Sequence, residues 1–185
     1  GGLVLMSKRR KAKTNALQRA SRLPLLIGAD LETGAAFRAR GGWFLPNAIE
    51  LGGATSFPYQ MGIGATRDTM LAYEMGRVTA VEGRAMGVHM AFAPVLDVNN
   101  NPKNPVISSR SFGEDAALVG RMGAALVRGI QDNGMLATGK HFPGHGDTEQ
   151  NSHLELARVK VSRAGLDSVE LSPFREAIAA GVRGI

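Results

Sequence analysis

The histidine loop, residues 140 to 153, reads KHFPGHGDTEQNSH and concentrates groups that can bind ligands or exchange protons. Its fourteen residues include three histidines, a lysine, an aspartate and two glycines, and few that would suit a hydrophobic core. Because histidine titrates near neutral pH, such a segment suits general acid–base catalysis, and its side chains can also ligate metals. We therefore interpret the histidine loop as a functional segment.

Metal binding is one interpretation of this loop. Four of its side chains are acceptable zinc ligands: His141, His145, Asp147 and His153. The loop resembles superficially the histidine loops of metallo-β-lactamase-like hydrolases, which pair two histidines around one residue and continue into Asp-His. Here the first two histidines are four residues apart, and a threonine follows the aspartate. We expect no metal and no organic cofactor.

A purely structural loop is another interpretation, in which the histidines only cap helices and hydrogen-bond to the backbone. It is weak for the group as a whole, because Lys140 and His141 end a predicted strand. A buried charge there needs a partner, and a substrate is a natural one.

Short apolar runs and helical periods alternate along the chain. Buried strands are predicted at residues 2–6, 23–30, 89–98 and 135–142. Helices are predicted over residues 8–22 and 169–180, with Pro173 in the first turn of the latter. Two more helices are predicted from apolar faces, one formed by Leu71, Met75, Val78, Val81 and Ala85 and the other by Val119, Met122, Leu126 and Ile130. The last of these begins after Asp115, a good N-cap, and ends at Asn133-Gly134.

This alternation predicts an α/β fold with a parallel sheet. Asp30, Asp97 and the pair Lys140-His141 each follow a strand, so their side chains are expected to converge on one rim. A (β/α)₈ barrel fits better than a doubly wound sheet, because no glycine-rich phosphate loop follows the first strand. We interpret residues 1–185 as a truncated part of such a barrel, comprising about the first four to five strand–helix units.

Composition removes several classes of function. The absence of cysteine excludes disulfide frameworks and thiolate metal sites. The formal charge of +6 is concentrated in SKRRKAK, residues 7–13, which has no interleaved aromatic residues, so we expect no nucleic-acid partner. The longest apolar run is far short of the roughly 20 residues of a membrane span, so no membrane partner is expected. Oligomeric state stays open.

Three segments resemble one enzyme family. The histidine loop resembles the signature KHFPGHGDTxxDSH of the bacterial β-N-acetylglucosaminidases of glycoside hydrolase family 3. Residues 92–115, FAPVLDVNNNPKNPVISSRSFGED, match the family run APVxDVNxNPxNPVIxxRSFGED. Residues 27–38, IGADLETGAAFR, are a degraded copy of the family's DQEGGxxxR segment. The order is that of the family, and the resemblance covers the whole chain.

The resemblance implies a (β/α)₈ barrel and a set of sugar-binding residues. Arg110, Lys140 and His141 would bind the sugar, and Asp30 and Arg38 would hold its outer hydroxyls. Carboxylates accept hydrogen bonds from hydroxyls and cationic groups orient them, so these roles are physically reasonable.

Two of the charged residues also have structural alternatives. Arg110 could form an ion pair with Glu114 or Asp115 instead of binding sugar. For Asp97 we favour a structural carboxylate at the rim over a role in binding.

The resemblance further implies an unusual acid–base catalyst. His153 would donate and then accept the proton, on a loop that Gly144 and Gly146 let move. The family's orienting aspartate is replaced here by Asn151, which predicts a less basic histidine and slower chemistry. The nucleophilic aspartate would come from a strand beyond Ile185, so the 185 residues alone are expected to be inactive.

The implied function is retaining, exo-acting hydrolysis of terminal β-linked N-acetylglucosamine from cell-wall muropeptides or chitin-type sugars. The expected partner is therefore a carbohydrate. A β-glucosidase or β-xylosidase of the same family is the alternative, and a non-catalytic carbohydrate-binding relative is another. The sequence leaves the compartment open, with the bacterial cytoplasm favoured slightly over the periplasm or secretion.

Overall fold

A computed structural model of the chain describes residues 2–4, 10–39, 53–151, 154, 156, 158–159 and 161–185. Its sheet has four parallel strands in the order β1-β2-β3-β4. These are β1 (Gly2–Val4), β2 (Leu26–Ala29), β3 (Met90–Ala91) and β4 (Leu136–Ala137). Isolated parallel bridges extend the pairing at Val95 with Lys140 and at Thr138 with Gly184. The α/β class and the parallel sheet are thus confirmed.

Helices connect successive strands. They are α1 (Arg10–Ala20), α2 (Gln60–Thr66), α3 (Thr69–Ala85), α4 (Ala116–Gln131), α5 (Arg163–Gly165) and α6 (Ser172–Ala179). A π-helical segment, Leu166–Glu170, leads into α6, so this helix begins three residues later than predicted, with Pro173 in its first turn. The sequence did not predict α2. Residues 5–9, which belong to the predicted first strand, the predicted first helix and the basic run, lie outside the described residues.

Local capping explains where the two long helices begin. The Asp115 side chain accepts a hydrogen bond from the Leu118 amide at 2.9 Å at the start of α4, as predicted. Asp68 does the same for the Met70 amide at 2.8 Å at the start of α3. In the described part of the chain, no helix is both long and apolar enough to cross a membrane.

The packing of α3 against α4 corrects one prediction. The predicted face of α4 is buried, but Leu71 and Val81 of α3 are 45% and 51% exposed. The buried face of α3 consists instead of Ala72, Met75, Gly76, Thr79, Ala80 and Gly83. A Cβ at Gly76 would lie 2.6 Å from the Leu126 carbonyl oxygen, so the helix backbones approach closely and only small residues fit between them. A search for large apolar residues misses such a face.

The hydrophobic core fills the space between the sheet and the α3–α4 pair. Ile27 of β2 and Ala91 of β3 are fully buried there. Met122 and Ile130 cover them from α4, and Phe174 closes the core from α6. This arrangement leaves the carboxyl ends of the strands free to carry polar groups.

Candidate active site

The polar groups that follow the strands converge on one rim, as the sequence predicted. Asp30 comes directly after β2, and Lys140 and His141 follow β4. They border an open cavity of about 370 Å³. Glu32, Arg38, Arg110, His145, Phe37, Tyr59 and Val106 complete its lining. This size falls within the range of small-molecule sites.

Five of the lining residues, Asp30, Glu32, Arg38, Arg110 and Lys140, form an ion-pair cluster. Arg38 Nη2 donates to Asp30 Oδ2 at 2.5 Å. Lys140 Nζ lies 2.9 Å from Asp30 Oδ1 and 2.6 Å from Glu32 Oε1, so it joins the two carboxylates. Arg110 contacts Glu32 with two parallel bonds, Nε to Oε2 at 2.9 Å and Nη2 to Oε1 at 2.8 Å. Such a bidentate pair fixes the orientation of the guanidinium plane.

The cluster keeps its carboxylates ionised. Burial acts to raise the pKa of Asp30, but the hydrogen bonds and charges of Lys140 and Arg38 outweigh it and leave the pKa below its ordinary value. Burial likewise opposes ionisation of Glu32, and Arg110 and Lys140 together lower its pKa. The hydrogen bond to Glu32 raises the pKa of Arg110 against the effect of burial. The cavity therefore presents fixed charges of both signs.

His141 has its tautomer set by two neighbours. Arg110 Nη2 can only donate, and it lies 3.1 Å from His141 Nε2, so this nitrogen accepts. In the neutral ring, Nδ1 then carries the proton and donates to Asp97 Oδ2 at 2.6 Å. Asp97 is fully buried and also accepts from the backbone amide of His145 at 2.7 Å. It supports the rim from below, which fits the structural role favoured for it.

The asparagine loop, residues 99–107, holds the histidine loop from the side. Asn104 Nδ2 donates to the His145 carbonyl oxygen at 2.7 Å and to the Gly146 carbonyl oxygen at 3.0 Å. The Asn104 side-chain oxygen accepts from the Ile107 amide at 2.8 Å. Asn101 adds a bond to Asp147 Oδ1 at 3.2 Å.

Close packing accounts for the two glycines of the histidine loop. A Cβ at Gly146 would lie 1.7 Å from the Val98 carbonyl oxygen, and one at Gly144 would lie 2.5 Å from Glu170 Oε2. Gly144 also has a φ of +132°, which L side chains rarely adopt. Both glycines are thus required where they stand, and the packing gives a reason for them that needs no loop movement.

The structure brings together five of the seven site residues named from the sequence: Asp30, Arg38, Arg110, Lys140 and His141. Asn151 is described and partly buried, and its carbonyl oxygen accepts from the Leu154 amide at 2.9 Å. His153 lies outside the described residues. In the described part of the chain, no three His, Asp or Glu side chains are grouped so as to hold a metal ion.

The alternative ion pair of Arg110 with Glu114 or Asp115 is wrong, because its partner is Glu32. Sequence reasoning did not single out Glu32 or Tyr59. Glu32 could have been identified as a site residue from the sequence, since it stands two residues after Asp30 at a strand end. Tyr59 had no such signal, because it comes to the rim from the irregular segment that precedes α2.

Comparison with known proteins places the chain in a family of carbohydrate-active enzymes. Residues 4–185 match the glycosyl hydrolase family 3 N-terminal domain, and the chain belongs to this family. A β-hexosaminidase A of Pseudoalteromonas piscicida is 40% identical over 180 residues, which are 93% of this chain and 28% of that protein.

Solved structures agree with this assignment. A family 3 β-N-acetylglucosaminidase from Paenibacillus sp. FPU-7 has a TM-score of 0.85 and 44% identity over 98% of this chain and 34% of its own. The β-glucoside phosphorylase BglX has a TM-score of 0.84 and 32% identity over 98% of this chain and 32% of its own. The chain therefore spans about a third or less of the length of these three proteins.

Proposed function

We propose that the complete protein is a retaining, exo-acting β-N-acetylglucosaminidase, and that these 185 residues are part of its (β/α)₈ barrel. The observation that carries this proposal is the charged cavity at the rim, bounded by the histidine loop and the ion-pair cluster. The family membership and the printed names of the similar proteins support it.

The ion-pair cluster would bind the terminal sugar. Asp30 accepts from sugar hydroxyls while Lys140 and Arg110 donate to them, and the mutual contacts of these groups hold them in place before the sugar arrives. A site that is ordered in advance loses little conformational freedom on binding. His141 would share this task, with Asp97 keeping its ring oriented.

Acid–base catalysis would fall to His153, a role that its place in the family-like motif supports. Retaining hydrolysis needs a proton donor to the leaving oxygen and a nucleophilic carboxylate about 5 Å from it. Asn151 would accept a hydrogen bond from the imidazole but contribute no charge to the imidazolium. We propose that the nucleophile belongs to a part of the protein outside these 185 residues, so the fragment alone would be inactive.

The substrates proposed are cell-wall muropeptides or chitin-type oligosaccharides. Phosphorolysis of a β-glucoside is a second candidate, favoured by the similarity to a β-glucoside phosphorylase. Replacement of the family aspartate by Asn151 also removes a negative charge that would repel an incoming phosphate. A non-catalytic carbohydrate-binding role is the third candidate, because the same replacement weakens the acid–base pair.

The test uses the complete protein with aryl β-N-acetylglucosaminide and the matching β-glucoside, each with and without inorganic phosphate. A His153→Ala variant is the control. Preference for the N-acetyl substrate that is lost in the variant supports the leading proposal. Phosphate-dependent release of a sugar phosphate favours phosphorolysis, whereas sugar binding without turnover favours the binding role.

A further inference from the structure

Glu170 is a buried acid that the proposed mechanism does not use. It ends the π-helical segment before α6, and its side chain is only 1% exposed. Asn100 Nδ2 donates to Glu170 Oε1 at 3.2 Å. Oε2 is also buried and has no hydrogen-bond partner among the described residues. A carboxyl group in such a place requires an explanation.

The carboxyl group lies directly against the histidine loop. The position of a Cβ on Gly144 would be 2.5 Å from Glu170 Oε2 and 2.8 Å from Glu170 Cβ. Gly144 is tied to the rim, because its amide donates to the His141 carbonyl oxygen at 2.8 Å. The other carboxyl oxygen contacts Asn100 of the asparagine loop. Glu170 therefore lies where the two loops and the start of α6 meet.

We propose that Glu170 is a positioning residue, whose carboxyl group joins the histidine loop to the asparagine loop and thereby holds His141 at the cavity. The proposal rests on the proposed function for its catalytic consequence. The structural part of the proposal, which is that Glu170 supports the histidine loop, can be tested by a measurement that does not depend on enzyme activity.

The surroundings of Glu170 oppose its ionisation. Burial raises its pKa most, the bond from Asn100 lowers it, and the carboxylates of Asp147 and Asp97 raise it further. Among the described residues, these two carboxylates are the charged groups that shift its titration. Asp147 faces it from the histidine loop and Asp97 from the segment after β3, while Asn100 is neutral. An ionised Glu170 would be a third negative charge, and no cation of the described residues is among the groups that shift its pKa.

The sign of the pH dependence follows from the raised pKa. The unfolded chain ionises this group at the ordinary value, whereas the folded chain resists ionisation. Glu170 therefore costs stability as the pH rises above the ordinary carboxyl range, and the cost is complete above its folded-state pKa. Below the ordinary value the cost disappears.

The experiment compares Glu170→Gln and Glu170→Ala in the complete protein. Glu176→Gln, which changes an exposed carboxylate of α6, is the matched control. Amide hydrogen exchange of residues 140–149 reports loop position, kcat and KM report catalysis, and melting temperatures between acidic and alkaline pH report ionisation. Activity is measured at a temperature where every variant is folded.

The alanine variant should increase exchange in the loop by about tenfold or more, because its hydrogen-bonded amides open more often. Misplacement of the loop should lower kcat/KM by about 10- to 100-fold. The glutamine variant should stay within about twofold of wild type in both, because an amide has a similar shape and no charge. Its melting temperature should exceed that of wild type increasingly as the pH rises.

Unchanged loop exchange in Glu170→Ala would overturn the positioning role, even if the variant melts earlier. Equal damage by glutamine and alanine would overturn the expectation that the support of the loop needs no charge at residue 170. A wild-type protein that hydrolyses no glycoside would remove the proposed function, and the exchange comparison would still decide the role of Glu170.

Discussion

The ion-pair cluster and the base of the histidine loop both contain buried or partly buried carboxyl groups, yet they hold them in opposite ways. In the cluster, Asp30 and Glu32 face cationic groups within 3 Å, and their pKa values are lowered. At the base of the loop, Glu170 faces two other carboxylates and its pKa is raised. Another carboxylate, Asp97, is held by backbone amides and an imidazole.

The difference shows that the partner, rather than burial itself, decides what a carboxyl group does. Burial opposes ionisation in both regions. Cations reverse that effect in the cluster and make a charged surface suited to sugar hydroxyls. Neutral amides and further acids do not reverse it beneath the loop, where the acid acts as a support. Substitutions that exchange these partners should therefore have different effects in the two regions.

The substitution Arg110→Met, which breaks the ion-pair cluster, should have the largest effect on both stability and activity. It leaves Glu32 buried with Lys140 alone and removes the donor to His141 Nε2. We expect a loss of about 2 kcal/mol in unfolding free energy, because Glu32 loses its two charge-assisted bonds to Arg110 and keeps only its contact with Lys140. We also expect kcat/KM to fall by about 100-fold or more, because the sugar-binding groups are displaced. Denaturant unfolding and steady-state kinetics check both.

The control for Arg110 is Arg128→Met, which changes an exposed arginine of α4. Adding Glu32→Gln to Arg110→Met should restore part of the stability but not the activity, since the buried charge that has lost its bidentate partner is gone while the guanidinium of Arg110 is still missing. A double variant no more stable than Arg110→Met would contradict the argument from charge.

Asp97→Asn should have the next largest effect. The amide lacks the charge that holds His141 Nδ1–H and the amides of the loop. Loss of one charge-assisted hydrogen bond predicts a fall in kcat/KM of about 10- to 100-fold. Kinetics beside the control Asp132→Asn, an acid at the end of α4 that contacts Tyr73, would measure it. Equal activity of the two variants would show that the charge of Asp97 is dispensable.

The sequence predicted features that depend on short stretches of chain. The Asp115 cap of α4 and the position of Asp30 and Lys140 at strand ends follow from local patterns. The pairing of Arg110 with Glu32 joins residues 78 positions apart, and no local pattern specifies it. The buried face of α3 was missed because its close approach to α4 needs glycine and alanine. Glu170 was missed because a lone acid in a helical pattern resembles a solvent-exposed residue.

Lys140→Met tests, through the pH dependence of stability, how the cations of the cluster keep Asp30 and Glu32 ionised. In wild type, the lowered pKa values of Asp30 and Glu32 mean that their stabilisation is present above their ordinary pKa values and is lost only as the pH falls through the lowered ones. Removing the shared cation raises both, so the pH-dependent stabilisation should be smaller and its loss should be complete at a higher pH. Melting temperatures measured from about pH 3 to pH 7 would show this. KM should rise by about tenfold.

The control for Lys140 is Lys103→Met, since Lys103 is exposed and pairs only loosely with Glu149 at 3.6 Å. Its acid unfolding should follow that of wild type. Coincident acid unfolding of Lys140→Met and wild type would mean that the two arginines alone keep the carboxylates ionised.

Asn151→Asp should have the smallest effect on activity, and it tests whether an added negative charge helps in the histidine loop. If His153 is the acid–base catalyst, an aspartate at 151 stabilises its imidazolium and should raise kcat by about two- to tenfold. The same charge adds to a loop that already carries Asp147 above Glu170. The gain should be at least as large in the Glu170→Gln background, where residue 170 cannot ionise and, among the described residues, only Asp97 remains as an acid beneath the loop. An unchanged or lower kcat in both backgrounds would mean that the amide at 151 already suits this site.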